Sequence, residues 1–199
     1  MQSCTRSFAY VVLVAALAFS ANVAAQAGVT LSGKLVNSLS GDPVAGANVQ
    51  IDPALLAFVP NAVDGVQLTF DPETSATIAA DPSVAPDAAS LAVALAIVPG
   101  SSAADDLAVV SVVRLRDPTR DENWFRDWRD TYDQAACSPA GGLVGNAEAE
   151  IGGGTVYIGS CAQGVRTYHT RLAAAGIVVS ITALGSRRLG EKVMAGLHR

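Results

Sequence analysis

Two apolar runs, LAVALAIVP (residues 91–99) and LAVVSVVRL (residues 107–115), constrain the fold more than any other stretch of the chain. Both are too short to cross a membrane as helices, which need about 20 apolar residues. In the first run Leu91, Val93, Leu95 and Ile97 share one side of an extended chain, and alanines fill most of the other. A strand apolar on both sides is buried on both, and an alanine side lets a covering element approach closely. Gly100, Ser101, Ser102 and acids separate the runs, so a buried hairpin is expected.

The next segment has a helical period. Asp117 and Pro118 stop the strand, and Thr119 with Glu122 forms a capping-box pattern. Trp124, Trp128 and Tyr132 then recur every four residues with Phe125 and Ala135 beside them, so an aromatic stripe should face inward. Asp127, Asp130, Asp133, Arg126 and Arg129 are expected elsewhere on that helix surface. Beyond the helix, alternating segments at residues 147–151, 155–161, 165–172 and 177–184 are broken by glycine-bearing turns and predict a meander. Ser186 then precedes a short amphipathic helix with Leu189, Val193 and Leu197 on one stripe. Upstream, Pro72, Pro82 and Pro86 punctuate an Ala/Asp/Ser stretch read as a loop with a helical turn or two, after a strand at residues 66–70. VVSVVRL (residues 109–115) and VVSITAL (residues 178–184) match at four of seven positions, a pattern that a duplicated unit or plain composition would produce.

Where such a fold would work is suggested by the start of the chain. Arg6, an apolar run over residues 8–19 and Ala25-Gln26-Ala27 match a secretory signal peptide cleaved near Ala27. Cys4 precedes the apolar run and so cannot be a lipoprotein's acceptor cysteine. After cleavage Cys137 and Cys161 remain, and an even pair in an oxidising compartment predicts a disulfide. The expected organisation is a signal peptide at 1–27, a short β segment at 28–65 and an α+β domain at 66–199. That domain is expected to be an antiparallel sheet with two helices, the aromatic one and the terminal one, packed on one face.

Composition narrows the partners. Half of the 199 residues are hydrophobic, which excludes a disordered chain, and the net charge of −5 with no basic cluster argues against a nucleic-acid partner. Residues 28–113 carry nine acids against the single cation Lys34, whereas residues 114–199 are close to neutral. No further stretch is apolar enough to span a membrane, so no membrane span is expected in the mature chain.

Ser40-Gly41-Asp42-Pro43 separates two alternating runs between Val29 and Ile51. Gly33, Gly41, Pro43, Val44, Gly46, Ala47 and Val49 follow the strand, "GxPVxGAxV" turn and strand that open carboxypeptidase-regulatory-like β-sandwich domains, and the segment resembles that opening. The resemblance covers about a tenth of the chain and implies a non-catalytic surface module, but Pro53-Ala54-Leu55-Leu56 stands where the family continues into its next strand. The order of elements in the remainder loosely resembles small exported bacterial proteins of unknown function.

Candidate chemistry is sparse. His169 and His198 are the only histidines, and no Gly-x-Ser-x-Gly elbow is present. His169 is expected on a solvent-exposed sheet face beside Thr167 and Arg171, and His198 at a frayed end. Glu148 and Glu150, Asp105 and Asp106, and the helical aspartates are read as solvated acids, and Gly152 to Gly154 as a hairpin turn, so neither a metal nor a cofactor is expected. Arg187 and Arg188 sit where a helix begins, a place that disfavours cations; they either contact an anionic partner or pair with Glu191 and nearby acids. The expectation is an exported, non-catalytic binding or interaction domain with a protein or small-molecule partner. The alternatives are an extracytoplasmic hydrolase working through facing carboxylates, or a cell-surface structural or accessory module.

Overall fold

The apolar runs become the centre of a sheet covered on both sides. The computed structural model describes residues 49–98 and 106–199. The expected signal peptide, most of the segment resembling carboxypeptidase-regulatory-like domains and the tip of the first hairpin lie outside the described residues. In chain order the elements begin with β1 (Gln50–Ile51), a 3-10 turn (Pro53–Phe58), β2 (Ala62–Val63), β3 (Val66–Gln67), β4 (Thr69–Phe70) and α1 (Pro72–Ala79). They continue with β5 (Ala88–Ile97), β6 (Asp106–Leu115), α2 (Glu122–Cys137), β7 (Leu143–Ile151), β8 (Gly154–Cys161), β9 (Arg166–Leu172), β10 (Ile177–Gly185) and α3 (Leu189–Ala195).

Eight strands form one sheet in the order β1-β5-β6-β10-β9-β8-β7, with β4 also paired to β5. The hairpin β5–β6 and the meander β7–β10 follow the sequence pattern. β10 returns to pair with β6 in register, Ser180 opposite Ser111, so the two similar VVS runs are antiparallel neighbours. The sheet is mixed rather than antiparallel, because β1 runs parallel to β5 while β4 pairs antiparallel further along the same edge. These short pieces, with the amide of Val93 donating to Ser75 Oγ at 3.0 Å, occupy an edge that would otherwise offer its backbone to another chain.

The expected placement of two helices on one face is incorrect. Three helices are present among the described residues, and α2 and α3 lie on opposite faces. Phe125, Trp124 and Trp128 of α2 join Ile78 and Ala79 of α1 against Leu91, Val93, Val113 and Val178. On the other face Leu189, Val193 and Met194 of α3 join Leu55 and Val59 against Ala92, Ala96, Val110, Val112, Val179 and Ile181. The physical reason lies in β5, β6 and β10: both of their sides are apolar, and one layer can cover only one of them. The alanine side of β5 receives the 3-10 turn.

Helix α1, eight residues long, is the helical turn or two expected in the proline-punctuated stretch. Pro72 stands at its first position, where no amide hydrogen is needed, and Asp71 caps it by accepting from the amides of Glu73 and Thr74. Pro82 lies beyond its end, so neither proline breaks it. α2 is capped by Asp121, which accepts from the amide of Trp124 at 2.9 Å, while Thr119 is held by Asp117 in the preceding turn. Ser186 does not cap α3; Arg188 stands at that position in a left-handed conformation. His198 is docked rather than frayed, with its amide donating to the carbonyl of Phe58 and Nδ1 2.8 Å from the carbonyl of Ala57.

Cys137, at the end of α2, and Cys161, at the end of β8, form a disulfide with Cα atoms 5.0 Å apart. It ties the aromatic helix to the sheet. No helix among the described residues is long and apolar enough to cross a membrane.

Candidate functional site

Among the described residues, two arrangements carry polar chemistry, one beneath α2 and one at the end of β9 and β10. The first is built by strand register. Ser111 of β6, Ser180 of β10, His169 of β9 and Tyr157 of β8 stand in one row across the sheet, and Thr182, Thr167 and Gly159 in the next. α2 lowers Asp133, Tyr132 and Trp128 onto these rows. Asp133 Oδ1 accepts from Thr167 Oγ1 at 2.5 Å and lies 2.8 Å from His169 Nε2. On the other side of the ring Nδ1 is 3.0 Å from Ser180 Oγ, which the Trp128 indole approaches at 3.4 Å. Tyr132 stacks edge-on to His169 at 5.0 Å, and its hydroxyl is 3.0 Å from Thr182 Oγ1. Burial raises the Tyr132 phenol above its ordinary pKa, opposed by the Thr182 and Ser111 hydroxyls.

An Asp–His–Ser chain is the order used by serine hydrolases, and its accessibility decides what it can do. His169 is 0% exposed, Ser180 1% and Asp133 4%. Ser180 sits in the middle of a central strand under a helix, so its oxygen has no approach for a substrate. With Nε2–H donating to Asp133, Nδ1 accepts from the Ser180 hydroxyl, and the cluster is satisfied as a clamp between helix and sheet. His169 is therefore not on an exposed sheet face as its alternation suggested, because α2 covers that face. Asp133 likewise is not a surface residue. It is the only acidic residue buried among the described residues, so no second carboxylate faces it. No group of three His, Cys, Asp or Glu suited to a metal occurs among the described residues.

The second arrangement is an open cleft of about 500 Å³ on the α3 side, lined by Arg166, Tyr168, Ala183, Gly185, Ser186 and Arg188 among others. Its two charged side chains are guanidiniums. Tyr168 is 1% exposed, and its ring rests on Gly190 of α3, where a Cβ would come within 2.6 Å of it. Burial raises its phenol above the ordinary value, and the Arg166 and Arg188 cations oppose this. The phenol thus stays protonated at neutral pH.

The adjacent arginines singled out by sequence separate here. Arg188 lines the cleft and pairs with Glu191. Arg187 turns away: its amide donates to Asp106 Oδ1 at 2.7 Å and its guanidinium to the carbonyl of Asp64 at 3.0 Å. Arg166 escaped notice because it and Arg188 are distant in sequence. Only the pairing of Arg166 with Ala183 brings the start of β9 to the end of β10, where Arg188 follows.

No family model, curated protein or solved structure matches this chain.

Proposed function

We propose that this protein is an exported, non-catalytic binding domain whose ligand site is the cleft between β9, β10 and the start of α3. The observation that carries the reading is the contrast between the two polar sites: the cleft is open and cationic, whereas the acid–base chain Asp133–His169–Ser180 is sealed and internally satisfied. Export is supported by the leader-like start of the chain and by the Cys137–Cys161 disulfide, a bond that persists in oxidising compartments.

The test is amide chemical-shift mapping of the secreted protein against a set of small-molecule fragments. Shifts clustered on residues 164–168 and 183–188 are expected. Hydrolysis of p-nitrophenyl acetate above background, abolished in His169→Ala, would overturn the non-catalytic reading.

A further inference from the structure

We propose that the cleft takes a carboxylate-bearing small molecule between the Arg166 and Arg188 guanidiniums, and that Glu191 is a built-in competitor for Arg188. The inference rests on the reading of the cleft as a ligand site and names its ligand class and its control. Guanidiniums match carboxylates with two parallel N–H donors, and Arg188 already engages one carboxylate, that of Glu191. That pair is weakly held, because the Arg188 side chain is 58% exposed and the Glu191 side chain 30%, so water and salt screen it. An incoming carboxylate that also reaches Arg166 gains a second cation that Glu191 does not use. Tyr168 lines the same cleft as both guanidiniums.

Backbone geometry supports a dedicated role for Arg188. It lies at φ 54°, ψ 43°, a left-handed conformation that costs a non-glycine residue energy and tends to persist where function requires it. Leu189 and Gly190 immediately after it are fully buried, with Gly190 against the Tyr168 ring, so the Arg188 backbone is anchored while its guanidinium stays at the surface. The site is therefore preorganised at the main chain and adjustable at the side chain.

Citrate is the probe, with inorganic phosphate and sulfate for comparison, titrated by calorimetry and amide shift mapping. Citrate should bind at residues 164–168 and 183–188, and more weakly as salt rises. Glu191→Gln should tighten citrate binding about three- to tenfold, and Arg166→Gln should weaken it at least tenfold. Arg188→Gly should also weaken binding at least tenfold while leaving the melting temperature unchanged or higher, because glycine relieves the left-handed backbone. In the Arg188→Gly background Glu191→Gln should have no further effect, which a merely structural role for Glu191 would not produce. Unchanged or weaker citrate binding in Glu191→Gln overturns the competitor, and phosphate or sulfate binding more tightly than citrate overturns the carboxylate class. A neutral fragment that binds the cleft when citrate does not would sink this inference and leave the binding-domain reading intact; absence of any cleft ligand would sink both.

Discussion

Gly159 is the residue on which the clamp beneath α2 depends. A Cβ built there would lie 2.8 Å from Asp133 Oδ2 and would collide with Thr167 Oγ1, so only glycine lets the Asp133 carboxylate sit down on β8 and β9. Gly159→Ala should destabilise the protein by roughly 3 kcal/mol, from overpacking combined with lost hydrogen bonds to a buried carboxylate. Urea unfolding measures this, and a loss below about 0.5 kcal/mol would mean that α2 can ride up without cost. A glycine inside an alternating strand is a readable signal of close backbone approach. The partner that approaches was not readable, since Asp133 and Gly159 meet only after α2 folds over the sheet. The same holds for His169, whose alternation identified its neighbours Thr167 and Arg171 but not the helix that covers it.

Among the elements, α2 was the most legible, because Trp124, Trp128 and Tyr132 repeat at a helical interval and Cys137 and Cys161 imply a tether. The bond closes a separation of 24 residues, and the chain-entropy relation gives roughly 3 kcal/mol for a loop of that size. Replacing both cysteines by alanine should lower the unfolding free energy by about that amount while β5, β6 and β10 keep their fold, which circular dichroism and urea titration would check. Unchanged stability would place the holding of α2 entirely on Phe125 and the Asp133 cluster. α1 was legible only as a helical turn or two, because the closely spaced prolines of its stretch forbid a long helix. Pro72 at its first turn and Pro82 past its last bound this eight-residue helix rather than break it.

Across the whole molecule, burial is graded from one side of the sheet to the other. Among the described residues β5, β6 and β10 are covered on both faces, whereas β7 is an edge strand paired only with β8, with Leu143 41% and Val144 69% exposed. Amide hydrogen exchange should therefore be slowest in β5, β6 and β10, approaching the global unfolding free energy, and fastest among the strands in β7. Equal protection in β7 would show that something covers that edge in solution. The sequence by itself determined the local periods: buried strands from two-sided apolar runs, the aromatic helix from its four-residue stripe, a disulfide from two remaining cysteines, and an acidic front half. Only the tertiary structure decided which face each helix covers, why His169 and Asp133 are internal, and that Arg166 joins Arg188 while Arg187 leaves. Periodicity assigns residues to a side of their own element, but burial and convergence depend on which distant element packs there, and that is set by packing and register over the whole chain.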